Sequence, residues 1–284
     1  MSRIVYVNGE YVREEDAKIS VFDRGFLFAD GVYEVSAVIG GKMIDNAAHL
    51  KRLGRSLSEL KMGCPVPLDD IPGIQRRLLD ENGVEDGMIY LQVSRGTADR
   101  DFNFPAEEKP SLVMFTQAKA VANNPKAAQG ISVVSQPDIR WARRDIKTVQ
   151  LLAQSLVKEA AKAAGADDAW MVEDGFVTEG SSNNAFIITA DGAVVTRQLG
   201  NDILHGITRR TVLEIAAEEG LTVEERPFTL EEAQGAAEAF STSASSFVMP
   251  VVSIDGKTIS QGVPGPVTQK LRERYLALAM ELAS

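Results

Sequence analysis

Short segments of alternating apolar and polar residues, separated by two-residue turn pairs, recur along this chain and restrict it to folds built from hairpins. IVYVNGEYV turns at Asn8-Gly9 and VYEVSAVIGGKMI at Gly40-Gly41, while AWMVEDGFVTEG and NNAFIITADGAVVT turn at Asp174-Gly175 and Asp191-Gly192. Such turns join antiparallel strands, whereas a doubly wound parallel sheet places a helix after nearly every strand. Helical periodicity comes in blocks instead. After Asn46, read as an N-cap, Ala47, Leu50, Leu53, Leu57 and Leu60 keep helical spacing, and a second helix is expected from Leu68 to about Asn82. MIYLQVSRG and SLVMFTQAKA return to strand chemistry.

VANNPKAAQG is the most linker-like stretch, and the domain boundary is placed there. The expected division is an N-terminal α+β domain over 1–120, a linker over 121–128 and a C-terminal α+β domain over 129–284 that carries Lys147. The second domain opens on the strand ISVVSQ. A helix follows from about Gln150 to Ala164 with Leu151, Leu152, Leu156 and the alanines as its apolar stripe. A further helix is expected from near Thr208 to Gly220, a capping box at Thr229 and Glu232, strands in FVMPVVSIDGKTI and a terminal helix after Pro266. The mixture reads as a two-domain α+β fold, and no internal repeat is present.

Charge and composition exclude several functions. The 284 residues carry a formal net charge of -10, so no surplus of cations exists to neutralise a nucleic acid. Cys64 is the single cysteine, which rules out an intramolecular disulfide and leaves no paired-cysteine metal or redox motif. With only His49 and His205 as imidazoles, no metal is expected. No apolar run approaches the ~20 residues of a membrane span and the N-terminus lacks the apolar stretch of a signal peptide, so a cytoplasmic chain without membrane partners is expected.

Three segments have the residue types that chemistry needs. Lys147, in RRDIKTVQLL, is open to two readings. One is a surface lysine extended from a helix end; the other is an amine whose proton affinity falls beside Arg140, Arg143 or Arg144 until it serves as a nucleophile. Glu179, in VTEGSSNNAFII, is either a solvated carboxylate beside ordinary Asx and Ser turns or a fixed one able to keep a ring nitrogen protonated. In HGITRRTVLEIAAEEG, Gly206, Ile207 and Thr208 precede an amphipathic helix whose free amides suit a phosphate, and a simple cap by Thr208 is compatible with that role.

Taken in order, FDRGFLFADGVYEV, His49 and Arg52 in HLKRLGRS, DIKTVQLL, VTEGSSNNAFI and GITRRTVLEIA resemble the fold-type IV family of pyridoxal-phosphate enzymes over nearly the whole chain. The resemblance implies a two-domain fold-type IV enzyme, a homodimer, with pyridoxal 5'-phosphate carried on Lys147. It further implies that Glu179 meets the pyridine nitrogen, that Arg52 and the amides of Ile207 and Thr208 bind the phosphate, and that Leu204 packs on the ring. A Ser-Thr phosphate contact usual in the family corresponds here to Ser243-Ala244-Ser245, so that role falls to Ser243 or a backbone amide.

Tyr33 and Val35 in YEV resemble the D-amino-acid branch of the family, in which an arginine and a histidine two positions later help trap the substrate carboxylate. This chain reads ADRDFNFP there, with Arg100 retained and Phe102 at the histidine position. Arg100 is open to a second reading, pairing with its own flanking aspartates, and Phe102 and Phe104 either line the site or tuck the loop down. The implied reaction is transamination between a D-amino acid such as D-alanine and a 2-oxo acid such as 2-oxoglutarate. An (R)-amine or branched-chain transaminase and an aminodeoxychorismate lyase are the alternatives.

Overall fold

The computed structural model describes residues 2–283, which fall into two compact units. The first unit contains the chain as far as Val121 together with Ile146–Gln150 and the residues from Leu282, and the second contains Ala122–Asp145 and Leu151–Glu281. Lys147 is therefore part of the first unit and not of the C-terminal stretch expected to carry it. The cause is backbone pairing. Its segment lies along a strand of the first unit, with the Tyr33 amide donating to the Lys147 carbonyl at 3.0 Å and the Val149 amide to the Gly31 carbonyl at 3.0 Å.

In the first unit, strands β1 (Ile4–Val7) and β2 (Glu10–Arg13) precede a short helix α1 (Arg24–Phe28), then β3 (Gly31–Ile39), β4 (Lys42–Met43), helices α2 (Asn46–Glu59) and α3 (Ile71–Asn82), β5 (Gly87–Ser94) and β6 (Ser111–Ala118). The strands form one antiparallel sheet in the order β2-β1-β6-β5-β3-β4. Leu53, Leu57, Leu78, Ile89, Leu91 and Met114 build its core between helices and sheet. Asp45, and not Asn46, holds the N-cap position of α2. Asn46 is buried instead, its side chain bonded to Ser36 Oγ at 2.9 Å and Gln75 Oε1 at 2.7 Å, because a polar group out of water needs partners that a surface cap does not.

The second unit contains α4 (Lys126–Gln129), β7 (Ile131–Pro137), α5 (Leu152–Ala163), β8 (Asp168–Glu173), β9 (Phe176–Gly180), β10 (Asn184–Ile188), β11 (Val194–Thr196), α6 (Ile207–Glu218), β12 (Val223–Glu225), α7 (Leu230–Gln234), β13 (Glu238–Ser243), β14 (Phe247–Ile254), β15 (Lys257–Thr258) and α8 (Pro266–Leu282). Its sheet runs β12-β11-β10-β13-β14-β7-β8-β9, with β15 beside β14, and mixes parallel and antiparallel pairs. Trp170 is fully buried in it, its ring edge-on to Phe228 and its Nε1 donating to Ser241 Oγ at 3.0 Å.

Asn8-Gly9, Gly40-Gly41 and Asp174-Gly175 all have positive φ at both positions, as a two-residue hairpin turn that follows the strand twist requires. Asp191-Gly192 differs. Only the glycine has positive φ, and the strands are joined by a longer loop closed by the Thr189 amide donating to the Ala193 carbonyl at 3.0 Å. The apolar stripe of α5 is also displaced from its expected place. Val157 and Ala161 are buried against Ala169 and Met171, whereas Leu152 and Leu156 are 74% and 54% exposed. One residue along a helix turns about 100°, so the Val157–Ala161 row on the sheet leaves the leucines facing water.

Candidate active site

Alternation on β3 separates two sets of side chains. Glu34 and Ser36 are buried on one face, while Tyr33 and Val35 are half-buried on the other. On the buried face, Arg52 and His49 of α2 meet Glu34. Arg52 donates to both carboxylate oxygens at 2.7 Å, and His49 Nδ1 lies 2.8 Å from Oε2. Burial alone raises a carboxyl's pKa, but the Arg52 guanidinium with the His49 contact overrides it and holds Glu34 at about 2. Arg52 therefore enters any anion-binding role pre-oriented by a carboxylate that sequence reasoning missed. The available signal was a charged residue at an inward strand position.

On the other face, Lys147 Nζ lies 4.2 Å from the centroid of the Tyr33 ring and makes no ion pair among the described residues. Tyr33 stacks on Tyr90 at 5.6 Å, and Tyr90 on Phe115 at 4.7 Å. Burial, with Tyr33 beside it, pushes the Tyr90 hydroxyl above its ordinary pKa, so it stays a neutral donor to Gln92 at 2.9 Å. The cations expected to act on Lys147 are otherwise engaged. Arg140 pairs with Asp138 and Glu179, Arg143 with Asp145, and Arg144 with Glu173 and Asp138. Each is matched to carboxylates within the second unit.

Arg100 is exposed and makes no ion pair with its flanking aspartates. Its guanidinium lies over Phe28 at 5.4 Å and Phe102 at 5.8 Å, and the Asp101 carboxylate accepts from the Asn103 amide at 2.8 Å instead. Phe102 is 81% exposed, so it neither fills a core nor tucks the loop down; Phe104, with the Arg95 guanidinium 3.6 Å from its centroid, performs that packing.

In the second unit, the β8–β9 hairpin carries Glu179 into a buried position. One carboxylate oxygen is paired with Arg140, the other accepts from Asn184 Nδ2 at 2.8 Å, and the Leu204 amide approaches both at 3.1 and 3.2 Å. Burial pushes the Glu179 carboxyl up, opposed by Arg140 and the Leu204 amide. Asn184 also donates to the Leu204 carbonyl at 2.9 Å, so one amide fixes both the carboxylate and the loop that enters α6. A Cβ at Gly206 would stand 2.0 Å from Asn184 Oδ1, a contact only glycine avoids. Gly206 is the N-cap of α6 and no side chain caps the helix there, so Thr208 does not have that role. Ser243 Oγ is bonded to Ser246 Oγ at 2.7 Å and accepts from the Ser246 amide at 3.2 Å, holding the β13–β14 turn closed.

The first unit holds a primary amine with no ion pair among the described residues and an arginine oriented by a carboxylate, and the second holds a buried carboxylate and a helix N-terminus without a side-chain cap; groups of these kinds suit the aldehyde, the phosphate and the ring nitrogen of pyridoxal phosphate. Among the described residues no group of three or more His, Cys, Asp or Glu side chains is arranged to hold a metal ion, and no helix is long and apolar enough to cross a membrane.

Comparison with known proteins agrees with this chemistry. Residues 31–254 match the family model described as amino-transferase class IV. The chain is 38% identical over 272 residues to a D-alanine aminotransferase of Staphylococcus epidermidis, covering 95% of this chain and 96% of that one. A D-alanine aminotransferase of Bacillus licheniformis is 36% identical over 270 residues, with 94% of each covered. Among solved structures, a T.th. branched-chain amino acid aminotransferase with pyridoxamine 5'-phosphate superposes with a TM-score of 0.90 at 25% identity, covering 99% of this chain and 95% of the other. The branched-chain enzyme of Escherichia coli, at 24% identity, gives 0.90 with 98% and 95% covered and speaks for the fold.

Proposed function

The chain belongs to the class IV aminotransferase family, and we propose that it transfers an amino group between a D-amino acid such as D-alanine and a 2-oxo acid such as 2-oxoglutarate on pyridoxal 5'-phosphate. The observation that carries the reading is the Lys147 amine, seated 4.2 Å over a tyrosine that the D-amino-acid branch shares and matched to no carboxylate among the described residues. When bound, the cofactor supplies an electron sink conjugated with the amino-bearing carbon.

The chain's own residues have distinct tasks in this proposal. Lys147 holds the cofactor and moves a proton at the substrate Cα, with its Nζ placed over the Tyr33 ring. Glu179 keeps the pyridine nitrogen protonated through its negative charge, which Arg140, Asn184 and the Leu204 amide maintain against the opposing effect of burial. Arg52, turned by Glu34, and the amides of Ile207 and Thr208 anchor the phosphate, and Leu204 packs on the ring. Arg100 and Tyr33 receive the substrate carboxylate, and Val35 lines the side-chain space. We infer a homodimer working in the cytoplasm, supported by the exposed Val21, Phe22 and Phe26 of the first unit and by a composition with a single cysteine.

Phe102 favours one second reading, a relaxed enzyme that also takes (R)-amines, because it withholds the extra donor a histidine would give the carboxylate. Turnover of D-alanine, L-leucine, (R)-1-phenylethylamine and aminodeoxychorismate distinguishes these possibilities. D-alanine turnover is expected, and L-leucine turnover without it would sink the D-specific reading. Lys147→Ala is expected to lose transamination and the cofactor's protein-bound absorbance together; retention of both would place the cofactor on another lysine.

A further inference from the structure

The loop between β5 and β6 bears Arg100, yet Arg100 itself is tied to it by no ion pair, so its direction is set by whatever holds the backbone on either side. That support comes from Arg24, a 3% exposed residue of α1. Its Nη1 donates to the Asp101 carbonyl at 2.6 Å and the Asn103 carbonyl at 3.3 Å, on either side of Phe102, while its Nε donates to Asp30 Oδ2 at 2.8 Å. The same Asp30 oxygen accepts Arg95 Nε at 2.8 Å, and Arg95 also reaches Glu108 at the far end of the loop and lies over Phe104 at 3.6 Å. Arg24 and Arg100 share one ring as well, lying 4.5 and 5.4 Å from the Phe28 centroid, with Phe102 edge-on to it at 5.7 Å.

We propose that Arg24 is a positioning residue for substrate selection: by holding the carbonyls of Asp101 and Asn103, it aims Arg100 at the substrate carboxylate. The proposal rests on the assignment of Arg100 to that carboxylate. A guanidinium suits the task because its planar fork spans two carbonyls and a carboxylate at once, and a lysine ammonium keeps the charge but not that geometry. The Phe28 ring then supports the Arg100 side chain from below, in the place where a second donor would otherwise steady it.

The test compares the first half-reaction of holoenzyme with D-alanine and with D-alaninamide, which lacks the carboxylate, in single-turnover mode. Four variants are compared: Arg24→Lys, Arg100→Ala, both together, and Phe104→Leu. Arg24→Lys is expected to lower the D-alanine to D-alaninamide preference about tenfold through weaker D-alanine binding, the effect of losing a charge-assisted hydrogen bond. The D-alaninamide rate should change less than about twofold, and amide exchange across 97–104 should rise. In the Arg100→Ala background the same lysine should have no further effect on preference. Should Arg24→Lys fail to fold, Phe104→Leu at an exposed ring loosens the same loop, with a drop in preference of about threefold expected. A preference lowered by Arg100→Ala but untouched by Arg24→Lys or Phe104→Leu overturns the proposal and leaves the function intact. Equal losses for both donors also overturn it. A preference unchanged by Arg100→Ala removes the carboxylate assignment, and the proposal falls with it.

Discussion

Replacing Glu34 with glutamine takes the charge from a carboxylate that two Arg52 hydrogen bonds and His49 surround out of water. Its size can be worked from the pair itself. A carboxyl held at about 2 in the folded chain, against 4.5 when free, contributes about 3 kcal/mol at neutral pH. That agrees with the roughly 3–5 kcal/mol expected when one partner of a buried pair is removed and the other charge is stranded. The sign follows from the depressed pKa. The contribution is complete above pH 4.5 and is lost as pH falls toward 2, because the unfolded chain takes up the proton first. Urea unfolding of wild type and Glu34→Gln, followed by far-ultraviolet circular dichroism at fixed protein and cofactor concentration, should give a gap of about 3 kcal/mol at pH 7. Below pH 4.5 the gap should narrow by about 1.4 kcal/mol per pH unit. A gap under about 1 kcal/mol at neutral pH, or one that stays flat between pH 5 and 3.5, would refute the reasoning.

Three further perturbations follow from the second unit and the aromatic stack. Asn184→Ala strands the Leu204 carbonyl and removes a donor from Glu179, so titration of cofactor-free protein with pyridoxal phosphate should show affinity reduced about tenfold. Gly206→Ala puts a methyl 2.0 Å from Asn184 Oδ1, and urea unfolding should report a loss of about 1–3 kcal/mol, with Asn184 displaced. Tyr90→Phe keeps the stack between Tyr33 and Phe115 and removes only the bond to Gln92, so its stability should fall by no more than about 1.5 kcal/mol.

The turns at Asn8-Gly9, Gly40-Gly41 and Asp174-Gly175 were legible because their φ requirement is local and only a few residue types meet it. Helices α2, α3 and α6 were legible for a similar reason, since periodicity survives without knowledge of the partner. Which row of α5 faces the sheet was not, because Leu156 and Val157 are both apolar and only the packing of Ala161 on Ala169 and Met171 decides between them. The same division runs through the candidate residues of each unit. Lys147, Glu179 and Arg52 stood out within ordered motifs, but Glu34, Arg140 and Asn184 act through partners 15 to 39 positions away or across a turn, pairings no local pattern specifies. Arg140 in particular reads as a neighbour of Lys147 in sequence and is a partner of Glu179 in space.

The burial of Trp170 beneath Phe228 bears on how the molecule can be observed. Both tryptophans, Trp141 and Trp170, belong to the second unit, whereas Tyr6, Tyr11, Tyr33 and Tyr90 belong to the first. Indole emission therefore watches one half of the chain and phenol absorption mainly the other, giving each unit its own optical label without any added dye. A melt in which the two signals part company would reveal the units unfolding in succession; coincident curves would mark a single cooperative event.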